Sequence, residues 1–291
     1  IHKLASPVSQ VWPSDTGIMH NKFVIIDAGS LDHNDPIVWT GSTNFTQGQI
    51  NTDPNNVIII QDKSLAMAYT LEFEEMWGST GLIPDTNNSK FGYLKEDNTP
   101  HEFIIGGNRV ECYFSPSDGV NQKIIETIEG ADNDFYIETM LITRSDIGYA
   151  IRDQHDLGVF AQVLVNNESG CSSTVVNTLL NSIGYNFKEF GETGIMHHKT
   201  MIVDQGSPSD DPLVFTGSHN WSSSADERND ENTLIIHNQD IANQYYQEFV
   251  KRWDYGITVG VKESTILDNK FDVYPNPTRG NIRIDFNIDT K

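Results

Sequence analysis

The chain of 291 residues repeats part of its own sequence at an almost constant distance. The segment "MHNKFVIID" at 19–27 returns as "MHHKTMIVD" at 196–204, an offset of 177. From Gly41 onward the offset is 176, since "GSTNFT" (41–46) returns as "GSHNWS" (217–222) and "NNVIII" (55–60) as "ENTLII" (231–236). Self-similarity at a fixed distance indicates duplicated structural units. The sequence therefore predicts two copies of one unit.

Both copies contain the same order of predicted elements. "FVII" and "MIV" are short runs rich in β-branched residues, "PIVWT" and "PLVFT" follow turn-rich loops, and "VIII" or "TLII" comes third. Each copy therefore predicts three buried strands. A helix follows, because apolar residues recur every four positions. These residues are Leu65, Tyr69, Phe73 and Trp77 in the first copy, and Ile241, Tyr245, Phe249 and Trp253 in the second.

The second copy has a long front part, from 109 to 197. Predicted strands ("VECYFS", "FYIETML", "GVFAQVLV") alternate there with predicted helices ("NQKIIETIEGA", "DIGYAIRDQ", "STVVNTLLNSIG"). This pattern is typical of a mainly parallel sheet covered on both faces. The first copy has only 19 residues before His20. Subtracting 177 from 109 gives −68, so we expect roughly 70 residues of the first unit to lie upstream, and its sheet to be incomplete here.

These patterns predict an α/β protein with mixed, mainly parallel sheets flanked by helices. Five regions are expected along the chain. They are the C-terminal part of a first, N-terminally truncated repeat (1–77), a linker (78–108), a second repeat (109–255), a second linker (256–269) and a short β tail (270–291).

The composition excludes some classes of function. Nineteen Lys and Arg residues against 41 Asp and Glu residues give a formal net charge of −22. This charge repels phosphate backbones and counts against a general nucleic-acid binder, although salt screening beyond roughly 8 Å leaves room for a locally basic site. No apolar run approaches the roughly 20 residues of a membrane-spanning helix. Cys112 and Cys171 allow one disulfide or two thiols and show no metal-type spacing.

The duplicated motif places a histidine and a lysine on one face of a strand. His20 and Lys22, like His197 and Lys199, are two residues apart, so both side chains of each pair project the same way. A histidine can attack or exchange a proton near neutral pH, and a lysine adds a positive charge. This combination suits an oxyanion, above all a phosphate.

The motif Gly-Ser-x-Asn follows in each copy, with Ser42 and Asn44 in the first and Ser218 and Asn220 in the second. The glycine lets the backbone come close to a ligand, and the asparagine amide can donate to a phosphate oxygen. Two complete sets at matched places favour a functional site over isolated surface residues.

Other polar residues of the motif are expected to be structural. Asp27 and Asp204 lie five residues beyond the lysines, on the opposite face of the strand and past its end. We expect them to bind a loop or a neighbouring strand. His198 lies between His197 and Lys199, so it should face the other side of the strand and take no part in chemistry.

The pattern His-x-Lys-x-x-x-x-Asp followed by Gly-Ser-x-Asn, twice in one chain, resembles the phospholipase D superfamily. The resemblance covers residues 19–60 and 109–253. It implies two repeats about a pseudo-twofold axis, with both motifs at one site. It also implies that one histidine attacks phosphorus to form a phosphohistidine, that the other protonates the leaving alkoxide, and that water reverses these steps without a metal or other cofactor.

The same resemblance implies individual roles. His20 and His197 would be nucleophile and acid, and family habit favours His20 as the attacker. Glu231 stands where family members often place a carboxylate that orients an active-site histidine, whereas the first copy has Asn55 there. This asymmetry would give the two imidazoles different proton affinities. Phosphate would be held by side chains from both copies: Lys22, Lys199, Asn44 and Asn220, with Ser42 and Ser218 nearby.

The tail carries a second resemblance. "FDVYPNPTRGNIRIDF" at 271–286 is similar to the opening of C-terminal sorting domains of proteins exported by the type IX system of Bacteroidetes. That resemblance implies a secreted or cell-surface protein that contacts secretion machinery. The alternative is one more β-hairpin packed on the domain, because Ile282, Ile284, Phe286 and Ile288 alternate after turn-forming residues.

Three functions are compatible with these observations. The first is a secreted phospholipase D-type phosphodiesterase that hydrolyses phospholipid headgroup esters or other phosphodiesters. The second is an extracellular nuclease, favoured by the likeness of "GSHNWSSSADERNDENTLII" to nuclease-like members but opposed by the net charge. The third is an inactive surface binding module, opposed by the completeness of both motifs. Few basic residues flank the motifs, the candidates being Arg144, Arg152, Lys188 and Arg228.

Overall fold

A computed structural model describes residues 17–206 and 211–260, together with two short strands at 272–274 and 283–285. The chain divides into two compact units, Ile1–Val259 and Gly260–Lys291. In the described residues, no helix combines the length and apolar character needed to cross a membrane. The predicted start of the first repeat (1–16), residues 207–210 and most of the predicted second linker (261–269) lie outside the described residues.

The first repeat is a three-stranded antiparallel sheet with a short and a long helix. The strands lie in chain order across the sheet, so each neighbouring pair is joined directly. Its elements are β1 (Phe23–Ile26), β2 (Ile37–Gly41), α1 (Gln47–Asn51), β3 (Val57–Gln61) and α2 (Lys63–Trp77).

The second repeat is built on a nine-stranded sheet with the strand order β12-β8-β7-β6-β9-β10-β11-β5-β4. Its strands are β4 (Glu102–Ile105), β5 (Asn108–Ser115), β6 (Asp134–Thr139), β7 (Phe160–Val165), β8 (Phe187–Glu189), β9 (Lys199–Val203), β10 (Leu213–Gly217), β11 (Glu231–His237) and β12 (Ile257–Thr258). Its helices are α3 (Val120–Glu129), α4 (Ser145–Asp156), α5 (Ser173–Ser182), α6 (Ser223–Glu227) and α7 (Gln239–Asp254).

This sheet confirms the α/β class and the mixed sheet flanked by helices, but the expectation of mainly parallel pairing is wrong. Only β6–β7 and β7–β8 are parallel among the strand pairs described in this sheet. The six other pairs are antiparallel. Parallel neighbours need a long crossover, and the connections through α4 and α5 provide it. The duplicated strands β9, β10 and β11 follow one another through short connections instead, one of which contains α6, and such connections join antiparallel neighbours.

The duplication is visible element by element. β2 and β10 begin and end at equivalent positions of the two copies, and so do α1 and α6. The long helices α2 and α7 begin at matched caps, because the side chain of Asp62 accepts from Leu65 N and that of Asn238 accepts from Ile241 N. Such side-chain caps satisfy backbone donors that the first helical turn leaves free. The same local sequence therefore builds the same local structure twice.

Three apolar cores hold the two repeats. The largest lies between the second-repeat sheet and helices α3, α4 and α5. A second joins α2 of the first repeat to β5 and β11 of the second, with the rings of Tyr69 and Phe114 5.0 Å apart. The third lies under α7, where Phe249 packs near Tyr136 and Ile202. α2 therefore connects the repeats as part of a shared core.

Residues 78–108, expected to be a linker, are built into the core that α2 shares with the second repeat. They contain a 3-10 turn at Gly92–Leu94 and strand β4. The buried ammonium of Lys95 lies 2.5 Å from Glu72 Oε1 and 3.7 Å from Asp230 Oδ1. The segment therefore ties α2 to the loop before β11.

Both cysteines are free thiols, Cys112 buried and Cys171 partly buried. In the separate C-terminal unit, β13 (Asp272–Tyr274) pairs antiparallel with β14 (Arg283–Asp285). The side chains of the predicted alternating strand, Ile282 to Ile288, lie outside the described residues.

Candidate active site

Each histidine motif is held by the backbone of the other repeat. His20 N donates to Asp230 O at 2.9 Å, and His197 N donates to Pro54 O at 2.7 Å. Pro54 and Asp230 hold equivalent positions in the two copies, each directly before the string that contains the third strand, so the two contacts are counterparts. Met19 also forms a parallel β-bridge with Asp230. Each motif therefore runs beside the loop that precedes the third strand of the opposite repeat.

His20 is bonded to a buried carboxylate of the second repeat. Its Nδ1 lies 2.7 Å from Glu231 Oε2, and Ser218 Oγ donates to the same oxygen at 2.6 Å. Burial would raise the pKa of Glu231, but the hydrogen bond and charge of His20 outweigh burial and leave that pKa below its ordinary value. An ionised carboxylate only accepts hydrogen bonds, so Nδ1 of His20 carries the proton. The free ring nitrogen of His20 is therefore Nε2.

His197 is bonded to a backbone carbonyl instead. Its Nδ1 donates to Ser42 O at 2.8 Å, because a carbonyl oxygen can only accept. Burial lowers the pKa of His197 to about 3, and the charges of Lys199 and Lys22 add to this effect. The imidazole is therefore neutral near pH 7 in the free protein, with a lone pair on Nε2.

The counterpart of Glu231 in the first repeat does not reach a histidine. Asn55 Nδ2 donates to the backbone oxygens of Gln49 and Asp53, both at 2.6 Å, and its Oδ1 accepts from Thr43 Oγ1. Asn55 thus closes its own loop. The two half-sites therefore differ in chemistry, with a carboxylate behind one imidazole and a carbonyl behind the other.

Two buried lysines lie beside the histidines. Lys22 Nζ donates to His20 O at 2.8 Å, and Lys199 Nζ donates to His197 O at 2.9 Å. Burial lowers the pKa of Lys199 to about 7 and that of Lys22 to about 8. The charge of Lys22 further lowers the pKa of Lys199, whereas Glu231 raises both pKa values. Motif cations from the two repeats therefore share one region, where an anion would favour their charged forms.

The serines of the two Gly-Ser-x-Asn motifs are buried and make matched bonds. Ser42 Oγ accepts from Asn56 N at 3.1 Å, and Ser218 Oγ accepts from Asn232 N at 3.0 Å. They fix the loop after the second strand to the start of the third. Asn44 and Asn220 are half-buried. The buried Asn220 Oδ1 has no hydrogen-bond partner within the part of the chain that the structure describes.

The two motif aspartates have different surroundings. Asp204 is buried and accepts from the backbone N–H groups of residues 132, 133 and 134 at 2.8, 2.7 and 3.0 Å. It therefore fastens the start of β6 to the end of β9. Asp27 is exposed. Both aspartates adopt positive φ angles, 53° for Asp27 and 49° for Asp204, a region that aspartate tolerates better than most residues.

His198 lies in the protein interior behind the strand. Its Nδ1 is 3.2 Å from Asn56 Nδ2, and its Nε2 is 3.6 Å from Glu248 Oε1. Sequence reasoning missed two asparagines beside the site, Asn56 and Asn232. Both stand in the repeated strings "NNVIII" and "ENTLII", so their matched positions were a signal that could have selected them.

A cluster of potential metal ligands lies beside β5, with two members in the segment before β4 and one in the loop after β5. Single ligand atoms of Asp97, His101 and Asp118 lie within 4.8 Å of one another. His101 Nδ1 is 2.9 Å from Cys112 O, and its Nε2 is 3.0 Å from Asp97 Oδ1. Asp118 accepts from Phe114 N at 2.7 Å. Because protein contacts already engage both ring nitrogens, this cluster fits a structural tie between the connecting segment and β5.

Comparison with known families agrees with this geometry. Residues 2–77 and 124–253 match the family described as cardiolipin synthase, PLD-like domain. The chain therefore belongs to this family within the phospholipase D superfamily, whose members are generally phosphodiesterases.

Individual proteins show the same relationship at low identity. The chain is 26% identical over 190 residues to a phospholipase D of Rickettsia typhi, covering 65% of this chain and 88% of that protein. It is 24% identical over 149 residues to the mitochondrial cardiolipin hydrolase of Mus musculus, covering 51% of this chain and 65% of that protein. Phosphatidylserine synthase of Haemophilus influenzae has a similar fold, with a TM-score of 0.57 and 11% identity over 84% of this chain and 63% of that one.

Proposed function

We propose that this protein is a phospholipase D-type phosphodiesterase that hydrolyses phosphodiesters through a phosphohistidine on His20. One observation carries the proposal: His20 and His197 take hydrogen-bond partners from opposite repeats, Glu231 for one and the Ser42 carbonyl for the other. Two imidazoles with different partners suit one attacking group and one proton donor.

In the first step, Nε2 of His20 attacks phosphorus while the bond from phosphorus to the leaving oxygen breaks. The Nδ1–H of His20 keeps its hydrogen bond to Glu231, so the buried carboxylate offsets the positive charge that develops on the phosphorylated ring. His197 Nε2–H gives its proton to the leaving oxygen. Burial lowers the pKa of His197 most, and the lysine charges add to it, so this proton is taken up from solvent when the substrate binds, because the bound anion favours the protonated ring.

In the second step, the now neutral His197 accepts a proton from water at Nε2. The resulting hydroxide attacks phosphorus, and the bond from phosphorus to His20 Nε2 breaks. His20 returns to its starting form, His197 is protonated again, and the phosphate monoester leaves. Lys22 and Lys199 neutralise the non-bridging phosphate oxygens in both steps, with Asn44 and Asn220 as further donors.

Phospholipid headgroup esters are the proposed substrate class. Support comes from the relatives named phospholipase D and cardiolipin hydrolase. The basic residues expected to help a nuclease are also partly neutralised in the protein. Arg144 lies 2.7 Å from Asp146 and 3.1 Å from Asp226, and Arg152 lies 2.6 Å from Asp153. Nucleic-acid binding depends on cations available to phosphates, so these pairs count against the nuclease alternative.

The test compares three substrates in the presence of EDTA: phosphatidylcholine, single-stranded DNA and a chromogenic phosphodiester. We expect hydrolysis of the lipid and the chromogenic ester. We expect His20→Ala and His197→Ala each to lower kcat by at least about 1,000-fold, while His33→Ala, at an exposed loop position, serves as the control.

Further outcomes assign the roles. A radiolabelled phosphoenzyme should form in His197→Ala and be absent in His20→Ala. Label retained only in His20→Ala would exchange the two roles. Activity on DNA alone would overturn the lipid proposal, and complete loss of activity with EDTA would contradict a metal-free mechanism.

We also propose that the protein is secreted or displayed at the cell surface. The support is the likeness of "FDVYPNPTRGNIRIDF" to a type IX sorting signal. In a host with that system, removal of residues 270–291 should keep the protein inside the cell. Unchanged export of the shortened chain would contradict the proposal.

A further inference from the structure

Two asparagines at matched positions each reach into the opposite repeat. Asn56 and Asn232 are the second residues of the repeated strings "NNVIII" and "ENTLII", at the beginning of the third strand of their repeats. Asn56 Oδ1 accepts from Thr216 Oγ1 at 2.8 Å and from Tyr245 OH at 3.4 Å. Asn232 Nδ2 donates to the counterparts of these two residues: Thr40 Oγ1 at 2.6 Å and Tyr69 OH at 3.4 Å.

Of these two asparagines, only Asn232 also bonds the backbone of a histidine–lysine motif among the described residues. Asn232 Oδ1 accepts from Lys22 N at 3.3 Å, and Thr40 Oγ1 donates to Lys22 O at 3.0 Å. Since Asn232 also donates to Thr40, a closed ring of hydrogen bonds joins Asn232, Thr40 and the backbone of Lys22. Asn232 is completely buried, so its amide has no water to replace these partners.

The reason for this difference lies in the sheets. Lys199 begins β9, and its backbone is paired with Thr139 on the neighbouring strand β6. Lys22 directly precedes β1, which is an edge strand in the described sheet. The backbone of an edge strand has a neighbouring strand on one side only. Asn232 and Thr40 instead supply side-chain hydrogen bonds to the backbone N–H and C=O of Lys22.

The preceding residue connects this ring to the chemistry. Glu231 binds the His20 ring, and Asn232 binds the backbone two residues further along the same motif. The dipeptide 231–232 therefore holds both the imidazole and the strand that carries it. Movement of that strand would change the position of His20 Nε2 relative to Glu231, and misplacement by about 1 Å can lower a rate about 100-fold.

We propose that Asn232 is a positioning residue, which holds the His20–Lys22 segment in register with Glu231 across the repeat interface. This inference rests on the proposed function of His20. Asn232 itself touches no reacting atom. Its contribution is expected in kcat, because binding of the phosphate also uses the second-repeat groups that Asn232 does not hold.

The experiment measures kcat, KM and the pH profile on the chromogenic phosphodiester, with the melting temperature of every variant. Asn232→Leu should lower kcat about 100-fold and change KM less than about threefold. Thr40→Val retains the Asn232 bond to Lys22 N and should lower kcat about tenfold or less. Asn108→Leu is the matched control, because Asn108 bonds Asn238 near the opposite end of β11 and should leave kcat within about twofold.

The discriminating measurement is a double-mutant cycle with Glu231→Gln. If Asn232 acts through the His20–Glu231 pair, the double variant loses little more activity than Glu231→Gln alone, and both single variants change the pH profile alike. The inference would be overturned if the losses of activity from the two substitutions multiplied in the double variant, or if Asn232→Leu left the pH profile unchanged. If Asn232→Leu does not fold, the cycle with Thr40→Val decides by the same criterion. Full activity in His20→Ala would instead refute the proposed function.

Discussion

The outer face of the first-repeat sheet and the matching face of the second-repeat sheet have related sequences but opposite surroundings. Ile59 is 63% exposed, whereas its counterpart Ile235 is 3% exposed. Val24 is 39% exposed, whereas Met201 is completely buried. The second-repeat residues belong to the core that α3, α4 and α5 cover. The described residues contain no corresponding helices over this outer face of the first-repeat sheet.

This comparison separates two effects of sequence. Alternation along a strand decides which side chains share a face, and both repeats follow it. Burial depends on whether another layer lies over that face. The candidate site shows the same distinction between sequence position and tertiary surroundings. Glu231 and Asn55 hold equivalent positions, but only Glu231 reaches a histidine of the opposite repeat.

The largest expected difference concerns matched isoleucines. Ile235→Ala should lower the free energy of unfolding by about 2–5 kcal/mol, because it removes buried methyl groups and leaves a cavity. Ile59→Ala removes the same atoms from an exposed face and should cost less than about 1 kcal/mol. Urea denaturation of the 291-residue chain measures both values. Equal losses would show that the first-repeat face is covered in solution.

The second prediction compares the two lysines and sharpens the electrostatic contrast. The pKa of Lys199 in the folded protein, about 7, lies below the ordinary 10.5, so the unfolded chain binds more protons between these values. Stability should therefore rise as the pH increases from about 7 towards 10.5. For Lys22 the corresponding rise begins near pH 8.

Lys199→Met removes the cost of burying that charge. At pH 6.5 it should raise the free energy of unfolding by about 1–4 kcal/mol, and it should flatten the increase towards pH 9.5 while abolishing activity. Lys22→Met should stabilise less, because Lys22 is less buried. Denaturation curves at both pH values provide the measurement, and a less stable Lys199→Met variant at pH 6.5 would contradict the expected sign.

The smallest expected difference concerns the motif aspartates. Asp204→Ala leaves three backbone N–H groups without their acceptor and should cost about 1–3 kcal/mol. Asp27→Ala, at the matched but exposed position, should cost less than about 1 kcal/mol. Thermal unfolding of the two variants compares them directly. A similar loss from both would mean that Asp27 also has a structural acceptor role.

Much of the fold could be predicted because the duplication repeats local patterns. The three motif strands and the helices α2 and α7 follow from short apolar runs and four-residue spacing. The connecting segment 78–108 was harder to predict, because the partners of Lys95 are distant in the sequence: Glu72 lies on α2, and Asp230 belongs to the opposite repeat. Strands β8 and β12 are too short to show a period of their own.

The candidate site residues were selected by their repetition at equivalent positions. Ser42, Ser218, Lys22 and Lys199 were chosen in this way, and the structure buries all four. Asn232 also stands at a matched position in a repeated string, but that position alone does not reveal what its side chain contacts. Its importance comes from a hydrogen bond to a backbone 210 residues away.

The sequence by itself determined that one unit occurs twice and that each copy carries a histidine, a lysine, a serine and an asparagine in fixed order. These features depend on neighbours within a few residues. The tertiary structure decided which partner each imidazole receives, because Glu231 and His20 are 211 residues apart and meet only where the repeats pack. Hydrogen bonds require placement within a few tenths of an ångström, and that placement results from the whole shared core.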